Sequence, residues 1–468
     1  MVSLLLALLI VLEAVAIWFA WRAIASARTS QGAIGWVVFL ITAPYLGVPL
    51  YLFLGHHKFK SYIKARKSSE EVIDGLRTYR EANAPVVPPE FPVSALEEIS
   101  DLPVVRGNDM TLLTDGASTF KAIFSAIDNA QSYVLVQFYI VKDDDLGCAL
   151  RDRMISAAKR GISVRFVCDP VGSVKLSQGY RDDLTAAGVE VVEPSKMRGP
   201  KNRFQLNFRN HRKTVIVDGT TAFTGGFNVG DEYMGRDPKF GNWRDTHVMM
   251  SGPVVAQLQL IFAEDWHWAT GETLIDPLNW QTEHAPADKS AMIVPTGPGD
   301  EMETGALFFF TAIANARKRI WIASPYFVPD VDVLTALKHA ALQGVDVRIL
   351  VPEVIDHKIP WLAAFAYFDE IREAGVQVLR YNDGFMHQKV LVVDDHMAAI
   401  GTTNMDIRSF RLNFETMAVF FDKQAAQSVS DMFEADFKKS FVLEKTLAEQ
   451  PRHIRTGAPI ARLFSPVL

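Results

Sequence analysis

The chain contains little cysteine and no excess of positive charge. Only Cys148 and Cys168 occur among 468 residues, and both fall in segments with the pattern of a helix or a buried strand. A disulfide framework is therefore not expected, and a reducing compartment fits. The formal net charge of −6 gives no support to general nucleic-acid affinity, so no nucleic-acid partner is expected.

Charged residues are also scarce at the start of the chain. Residues 2–21 are almost entirely apolar, and residues 33–54 are apolar and uncharged. Each run is long enough to cross a hydrocarbon core at about 1.5 Å per residue. Residues 1–57 are therefore predicted to be a membrane anchor with two transmembrane helices. A cleaved signal peptide is the alternative for the first run, and Pro44 and Pro49 would kink the second run or make it re-entrant.

The residues beyond the second run indicate the orientation of the anchor. Residues 58–67 contain five basic and no acidic residues, whereas the connection between the runs carries Arg22 and Arg28. The positive-inside rule places residue 58 onward in the cytoplasm. The same stretch either binds anionic lipid headgroups or only determines topology. Residues 58–105 are predicted to be this basic juxtamembrane segment followed by a Pro-rich linker.

The rest of the chain divides into two halves, residues 106–285 and 286–468, with the same order of predicted elements. Strand patterns occur at 133–140, 161–167 and 188–192 in the first half and at 319–327, 344–350 and 375–379 in the second. Strands that alternate with helical stretches predict an α/β fold in which each half has a mixed, mostly parallel sheet flanked by helices. The two domains are expected to be related by a pseudo-two-fold axis.

A short pattern, His-x-Lys-x4-Asp, occurs once in each half. The two copies are His211, Lys213 and Asp218, and His387, Lys389 and Asp394. In each copy an Asn follows the His by 17 positions, as Asn228 and Asn404. Two copies with identical spacing predict one site shared by the halves, in which two His and two Lys meet.

Strand periodicity divides the members of the pattern. A His and a Lys two positions apart on a strand share one face, whereas the Asp has the opposite parity. Asp218 and Asp394 are therefore expected to fix the strand end rather than to touch substrate. Because Lys is a cation and the nearest carboxylate points away, the pair suits an anion better than a metal, and neither a metal nor a cofactor is expected.

The side chains that remain suit chemistry at a phosphate. The two Lys would neutralise phosphate oxygens, and Asn228 and Asn404 would donate hydrogen bonds to them. Two His suit a two-step displacement in which one attacks phosphorus and the other serves as acid and base. Asp245 and Glu415, downstream of the two motifs, are the candidates that hold the tautomer of the His residues.

The first half carries an insertion directly before its motif His. Between residues 196 and 213 there are seven basic residues and no acidic ones. A solvated charged face and a funnel for an anionic substrate are both consistent with this run. Its members are Lys196, Arg198, Lys201, Arg203, Arg209, Arg212 and Lys213.

These residues resemble the phospholipase D superfamily and, within it, the bacterial cardiolipin synthases. Beyond the doubled motif, the matching stretches are residues 224–233 (TGGFNVGDEY), 240–247 (FGNWRDTH), 263–266 (AEDW) and 404–415 (NMDIRSFRLNFE). The resemblance covers essentially the whole chain. It implies transfer of a phosphatidyl group from one phosphatidylglycerol to another, giving cardiolipin and glycerol at the inner membrane without a metal or nucleotide.

The family pattern also implies residue roles. His211 would be the nucleophile and His387 the acid and base, although the residues alone leave that order open because the halves are nearly equivalent. The family places a small hydroxyl residue after the Gly of each downstream turn; Thr402 keeps it for phosphate binding, and Gly226 replaces it in the first half.

Three other functions remain alternatives to the synthase. A hydrolase would resolve the same intermediate with water, and a nuclease of the superfamily would need a basic groove. A membrane-anchored lipid-binding scaffold would not need both His-Lys-Asn sets intact.

Overall fold

The alternation of strands and helices expected from the sequence is present in the computed structural model, which describes residues 2–26, 29–55, 78–194, 208–281, 283–300 and 302–468. The chain forms two compact units. Among the described residues, the first unit comprises those between 2 and 55 together with 208–209, and the second comprises 78–194 together with those from 210 to 468.

The first unit contains three apolar helices, α1 (Val2–Ser26), α2 (Ser30–Thr42) and α3 (Pro44–Leu54). Within the part of the chain that the structure describes, α1 is the one helix long and apolar enough to cross a membrane. The second apolar run is broken at Ala43, whose φ of −139° and ψ of 60° lie outside the helical region, and α3 starts at Pro44. Two complete spanning helices are therefore not confirmed, because the residue before a proline is disfavoured in helical conformation.

The described residues from 94 onward form eleven α-helices and twenty strands. The helices are α4 (Ser94–Ser100), α5 (Gly116–Asp128), α6 (Asp145–Lys159), α7 (Gln178–Ala186), α8 (Val254–Thr270), α9 (Thr304–Asn315), α10 (Val331–Leu342), α11 (Lys358–Arg372), α12 (Ile407–Arg411), α13 (Lys423–Phe437) and α14 (Arg452–Arg462). Several begin at an Asp or Ser whose side chain accepts the backbone N–H three residues on, as Asp144 does for α6, which satisfies a donor that has no partner within the helix.

The strands of the first half are β1 (Val105–Leu113), β2 (Tyr133–Phe138), β3 (Ser163–Cys168), β4 (Glu190–Val192), β5 (Arg209–Asn210), β6 (Thr214–Val217), β7 (Thr221–Gly225), β8 (Trp243–Arg244) and β9 (His247–Ser251). Those of the second half are β10 (Lys289–Thr296), β11 (Arg319–Ala323), β12 (Phe327–Val328), β13 (Asp346–Pro352), β14 (Gln377–Tyr381), β15 (Phe385–Met386), β16 (Val390–Val393), β17 (Met397–Gly401), β18 (Met405–Asp406), β19 (Asn413–Phe421) and β20 (Ser440–Val442). All six strands expected from the sequence are present.

The main sheet runs in the order β20-β14-β13-β11-β16-β17-β19-β10-β1-β9-β7-β6-β2-β3-β4. The sheet is mixed, as expected, but it is not mostly parallel. Parallel pairs are confined to β2-β3-β4 and β11-β13-β14, and most of the other pairs are antiparallel. The reason is local: the strands that follow each motif are joined by tight turns, such as Asp218-Gly219 with both φ values positive, and short turns join antiparallel neighbours.

Three apolar cores lie between these elements. One packs α5, α6 and α7 against the first-half strands, and another packs α9, α10, α11 and α14 against the second-half strands. The third contains side chains of both halves and of helices α8 and α13. Its members include Ile216 and Val248 of the first half and Val392 and Phe420 of the second. Because β1 pairs with β10 and the third core is shared, the two halves form one continuous structure.

Candidate active site

Each motif His is paired with a carboxylate of the other half. Nδ1 of His211 lies 2.8 Å from Oε2 of Glu415, and Nδ1 of His387 lies 2.8 Å from Oδ2 of Asp245. All four side chains are buried. Since an ionised carboxylate only accepts hydrogen bonds, Nδ1 of each His carries the proton and Nε2 keeps its lone pair for a reacting atom.

Backbone hydrogen bonds bring each pair together. The N–H of His211 donates to the carbonyl of Phe414, the residue before Glu415, at 2.9 Å. The N–H of His387 donates to the carbonyl of Arg244, the residue before Asp245, at 2.8 Å. The parallel pairing of β15 with β8 extends the second contact. The geometry of the site is therefore fixed by the main chain of both halves.

The motif residues lie just before strands rather than inside them. His211 and Lys213 occupy the link between β5 and β6, and His387 and Lys389 occupy the link between β15 and β16. The expectation that the His and the Lys belong to one regular strand is therefore wrong in its detail. The backbone there is held by contacts to the other half instead of a continuous strand ladder.

Both motif lysines are buried and turn back on their own motif. Nζ of Lys213 donates to the carbonyl of His211 at 2.6 Å. Nζ of Lys389 donates to the carbonyl of His387 and also lies 3.0 Å from Nδ1 of that His. The two copies thus differ, because the Lys389 ammonium group lies directly beside the imidazole of His387, whereas the Lys213 contact is to the backbone of His211.

Burial is the main influence on the pKa values of the two motif His and the two motif Lys residues. It lowers the pKa of His211 to about 4 against the opposing charge of Glu415, and it lowers the pKa of His387 with help from Lys389. Burial likewise lowers the pKa of Lys213 to about 7 and that of Lys389 to about 8. Desolvation penalises the charged form of each group, so a bound anion would restore charge to the lysines.

The two carboxylates remain ionised despite burial. Burial opposes ionisation of Asp245, but Lys389 and His387 outweigh it and the pKa of Asp245 is lowered. The pKa of Glu415 is lowered in the same way, against burial, chiefly by His211. Charges of both halves therefore act on each other within a single site.

The motif Asp residues lie away from these groups. The Asp218 carboxylate accepts the backbone N–H groups of Gln131, Ser132 and Tyr133 at the start of β2. Asp394 accepts those of residues 317–319 at the start of β11. Both have positive φ, 54° and 49°. Their carboxylates join the end of one strand to the start of its neighbour.

The two Asn side chains are placed differently. Oδ1 of Asn228 accepts the N–H of Ile140 at 3.1 Å. The side chain is also hydrogen-bonded to the Tyr233 hydroxyl, which opposes the rise that burial causes in the pKa of Tyr233. Oδ1 of Asn404 is buried and has no hydrogen-bond partner within the described part of the chain. The amide of Asn404 is therefore the less committed of the two.

Thr402 and Gly226 occupy corresponding places behind the two carboxylates. The Thr402 hydroxyl accepts the N–H of Thr416 at 2.9 Å, and its hydrogen bond also helps to lower the pKa of Glu415. The structure therefore places Thr402 with the groups that hold Glu415, and its role in phosphate binding stays a prediction. At Gly226, a Cβ atom would lie 1.9 Å from Oδ1 of Asp245, so glycine is what lets that carboxylate approach.

Sequence reasoning missed two buried Arg–Asp pairs that support the site. Arg212 donates to Asp265 at 2.6 Å and to the carbonyl of Glu415 at 3.1 Å. Arg244 forms two 2.8 Å hydrogen bonds with Asp436 and donates to the carbonyl of Asp245 at 2.7 Å. Each pair therefore clamps the backbone of one carboxylate residue. Arg244 and Asp265 lie in stretches that carried the family resemblance, which was the available signal.

An aromatic ring packs against each motif His. The ring of Tyr139 lies 4.9 Å from that of His211 in an edge-on arrangement, and the ring of Trp243 lies 5.5 Å from that of His387. These rings contribute to the desolvation that lowers the pKa of the imidazoles. Tyr139 lies in the predicted strand 133–140, and Trp243 lies in the stretch 240–247 that carried the family resemblance, but neither was singled out as a neighbour of a motif His.

Some residues of interest lie outside the described part. The basic residues of 58–67 and Lys196, Arg198, Lys201 and Arg203 of the insertion are among them. Within the described ranges, no group of three or more His, Cys, Asp and Glu side chains is arranged to hold a metal ion.

Comparison with known proteins identifies the family. The family described as "Cardiolipin synthase, PLD-like domain" matches residues 123–266 and 309–437, and "Phospholipase_D-nuclease N-terminal" matches residues 14–56. The chain is 42% identical over 458 residues to Cardiolipin synthase A of Pseudomonas fluorescens strain Pf-5, covering 96% of this chain and 95% of that protein. It is 41% identical to Cardiolipin synthase A of Pseudomonas entomophila, with the same coverage.

Solved structures support the fold. The phosphatidylserine synthase of Haemophilus influenzae superposes with a TM-score of 0.61 at 16% identity, covering 80% of this chain and 99% of that one. At this identity the likeness concerns the fold alone. Two matched domains, each with one complete motif, and relatives alike over nearly the full length lead to one conclusion: the chain is a member of the cardiolipin synthase family of the phospholipase D superfamily.

Proposed function

We propose that the protein is a membrane-bound phosphatidyltransferase that makes cardiolipin from two molecules of phosphatidylglycerol. The observation that carries the proposal is the pair of buried His residues, each oriented through Nδ1 by a carboxylate of the other half. The arrangement provides two imidazoles with free Nε2 atoms beside two lysines. The names of the relatives, Cardiolipin synthase A, point to the same activity.

The reaction proceeds in two displacements at one phosphorus. The anionic phosphate of the bound lipid favours a proton on Nε2 of His387, which the neutral imidazole of the free enzyme lacks. Nε2 of His211 then forms a bond to phosphorus as the P–O bond to the first glycerol headgroup breaks, and His387 gives its Nε2 proton to the departing oxygen. Neutral His387 then removes a proton from the hydroxyl of a second phosphatidylglycerol. That oxygen bonds to phosphorus, the N–P bond breaks, and cardiolipin is released.

The other polar groups stabilise charge during both steps. Lys213 and Lys389 neutralise the phosphate oxygens, which is effective because the site excludes water and the charges are fixed in advance. Asn228 and Asn404 donate hydrogen bonds to the same oxygens. Glu415 stabilises the positive charge that develops on His211 as the N–P bond forms. Asp218 and Asp394 act at a distance by holding the strand ends.

Membrane attachment supplies the lipid acceptor. We place α1 across the inner membrane, with α2 and α3 as a second, bent segment in the same bilayer, and the catalytic unit on the cytoplasmic side with its anionic lipid substrates. An acceptor confined to the same surface has a high local concentration, which favours transfer over hydrolysis.

Product analysis tests the proposal. The full-length protein, reconstituted in vesicles with labelled phosphatidylglycerol and a chelator, should form cardiolipin and glycerol in equal amounts. Phosphatidic acid as the main product would make the protein a hydrolase instead. Vesicles that also contain a competing alcohol lipid determine how strictly the acceptor is selected.

The order of the two His residues has its own test. The His387→Ala variant should form a covalent phosphatidyl adduct on His211 that persists on a denaturing gel, whereas the His211→Ala variant should form none. The reverse pattern would exchange the two roles without changing the overall reaction.

A further inference from the structure

Two loops that flank the site present exposed aliphatic side chains although they lie next to buried catalytic groups. One loop, residues 169–177, follows β3 in the first half. The other, residues 353–359, follows β13 in the second half and includes the first two residues of α11. Both leave the carboxyl end of a parallel strand, which is where α/β folds commonly bind ligands. We call them the site-edge loops.

The first site-edge loop is tied to the His211 side of the site. Its Gly172 packs against the backbone of Tyr139 so tightly that a Cβ atom would lie 2.2 Å from the Tyr139 carbonyl oxygen. Ser173 donates to the same carbonyl at 3.1 Å, and the Tyr139 ring packs on His211. Asp169 accepts the N–H groups of Val171 and Gly172. Tyr139 therefore connects this loop to the imidazole of His211.

The second site-edge loop is tied to the His387 side in a corresponding way. Its Asp356 accepts the Tyr326 hydroxyl at 2.5 Å and is one of the charges that act on His387 and Lys389. The ring of His357 lies 6.2 Å from that of Tyr326. The two loops therefore border the site from opposite halves.

Three aliphatic side chains of these loops face solvent. Val171 is 48% exposed, Val174 is 73% exposed and Ile359, the second residue of α11, is 50% exposed. We call these three the apolar rim. Each loop also places an exposed lysine next to a rim residue, Lys175 beside Val174 and Lys358 beside Ile359. Neither lysine has an ion pair with another residue in the ranges that the structure describes.

We infer that the apolar rim inserts into the interface of an anionic bilayer while Lys175 and Lys358 contact the lipid headgroups. Aliphatic side chains gain free energy on leaving water, and lysines beside a membrane are attracted by anionic lipids. The same pairing of an exposed aliphatic side chain with a neighbouring lysine occurs in both halves, which favours a lipid surface, with its apolar interior and anionic headgroups, over a protein partner. This inference rests on the proposed function, because insertion of the apolar rim would bring a lipid phosphate to the two His residues.

Site-directed spin labelling tests the rim without an activity measurement. The full-length protein carries Cys148→Ser, which leaves the buried Cys168, and one new cysteine at Val174→Cys or Ile359→Cys. The matched control is Leu342→Cys, 74% exposed at the end of α10 and therefore at the opposite edge of the parallel strands. In vesicles of phosphatidylglycerol and phosphatidylcholine, the rim labels should gain collisions with oxygen and lose collisions with a water-soluble nickel reagent.

The control label should remain accessible to nickel. Rim labels as accessible to nickel as the label at 342 would overturn the inference, whatever the protein does catalytically. This readout therefore distinguishes failure of the rim from failure of the proposed function, since an inactive protein can still insert its rim.

A second variant links the rim to substrate use. The triple variant Val171→Ser, Val174→Ser and Ile359→Ser should turn over phosphatidylglycerol in vesicles on the order of tenfold more slowly than the unaltered protein when lipid is limiting. Its rate on a short-chain, dispersed phosphatidylglycerol should stay within about twofold, because exposed positions contribute little to stability. Leu342→Ser should leave both rates unchanged. Equal losses on the two substrates, or no loss on vesicles, would count against membrane insertion.

Discussion

Gly226 shows how a single missing side chain shapes the site. In the second half the corresponding position is Thr402, whose hydroxyl supports Glu415. In the first half the Asp245 carboxylate occupies the space where a side chain would begin. The two halves therefore hold their carboxylates by different means, and the difference arises from one residue.

Adding a methyl group at this position should disable the site without unfolding the protein. We expect Gly226→Ala to displace Asp245 from His387 and to lower kcat on the order of a hundredfold or more, since a misoriented imidazole loses most of its catalytic effect. Gly179→Ala, in α7 with only the Ser177 side chain nearby, is the matched control and should be nearly neutral. Full activity of Gly226→Ala would show that Asp245 is not required where it lies.

The lysine pKa values predict the pH dependence of activity. Burial lowers the pKa of Lys213 to about 7 and that of Lys389 to about 8, so the free enzyme loses positive charge as the pH rises through this range. We expect kcat/KM, which reports free-enzyme ionisations, to fall between pH 7 and 9. His211, with a pKa of about 4, stays neutral over the same range.

Stability should change in the opposite direction. The unfolded chain holds the lysine protons up to a pKa of 10.5, so between about pH 7 and 10.5 it binds more protons than the folded state, and the free energy of unfolding rises with pH from this source. Loss of activity together with a constant or higher denaturation midpoint at pH 9 is the expected result. A kcat/KM that is flat up to pH 9 would contradict the lysine assignment.

At the scale of elements, two buried ion pairs connect helices to the site. Arg212 joins α8, through Asp265, to the backbone of Glu415, and Arg244 joins α13, through Asp436, to the backbone of Asp245. Such pairs are weak evidence for stability, but breaking one leaves an uncompensated charge in the interior. Packing of α8 and α13 is thereby coupled to the geometry of the carboxylates.

Neutralising one member of a pair tests this coupling. We expect Asp265→Asn to reduce the free energy of unfolding by about 3 kcal/mol and to lower turnover, measured by chemical denaturation and product formation. Asp182→Asn, at an exposed carboxylate that accepts the Gln178 amide, should change neither. If the Asp265→Asn protein is less stable but turns over substrate at an unchanged rate, then Asp265 contributes to folding and is not needed to position Glu415.

The limits of sequence-based prediction are visible at this same scale. The doubled motif predicted that two His and two Lys meet, because identical spacing implies a shared origin and a shared site. Periodicity located the six strands, since alternating or continuous apolar runs reflect burial directly. The strand directions were wrong because short turns, which fix antiparallel pairing, were given less weight than the alternation with helices.

The partners of the His residues were beyond reach for a different reason. Asp245 and Glu415 were recognised as candidates, but each follows a motif within its own half, whereas each binds the His of the other half. That choice depends on the pairing of β8 with β15 and on the contact between His211 and Phe414. Both are long-range contacts for which the local sequence carries no signal.

At the scale of the whole molecule, the crossed pairs predict unequal effects of two similar substitutions. If His211 is the nucleophile, Glu415→Gln should slow formation of the covalent adduct, because Glu415 orients His211. Asp245→Asn misorients His387, which is the acid in adduct formation and the base in its breakdown. The adduct should therefore form slowly but accumulate, because the acceptor hydroxyl is no longer activated. Rapid-quench experiments with labelled phosphatidylglycerol measure both phases.

The crossed assignment makes this experiment specific. If each carboxylate served the His of its own half, the two variants would show the opposite pattern. Accumulation in Glu415→Gln and not in Asp245→Asn would therefore mean either that His387 is the nucleophile or that the pairing differs in solution. The trapping result with His387→Ala distinguishes these two explanations.

The crossed pairing of each His with a carboxylate from the other half also bears on how such a chain can change over evolutionary time. Two separate copies of one half, associated as a symmetric dimer, would satisfy the same contacts, because each copy would lend its carboxylate to its partner. Fusion into one chain frees the copies to diverge, as Gly226 and Thr402 have, but neither half can be exchanged alone. A chimera that takes one half from a relative inherits one member of each crossed pair. Both His–carboxylate contacts between the halves must therefore be compatible before either histidine is correctly oriented.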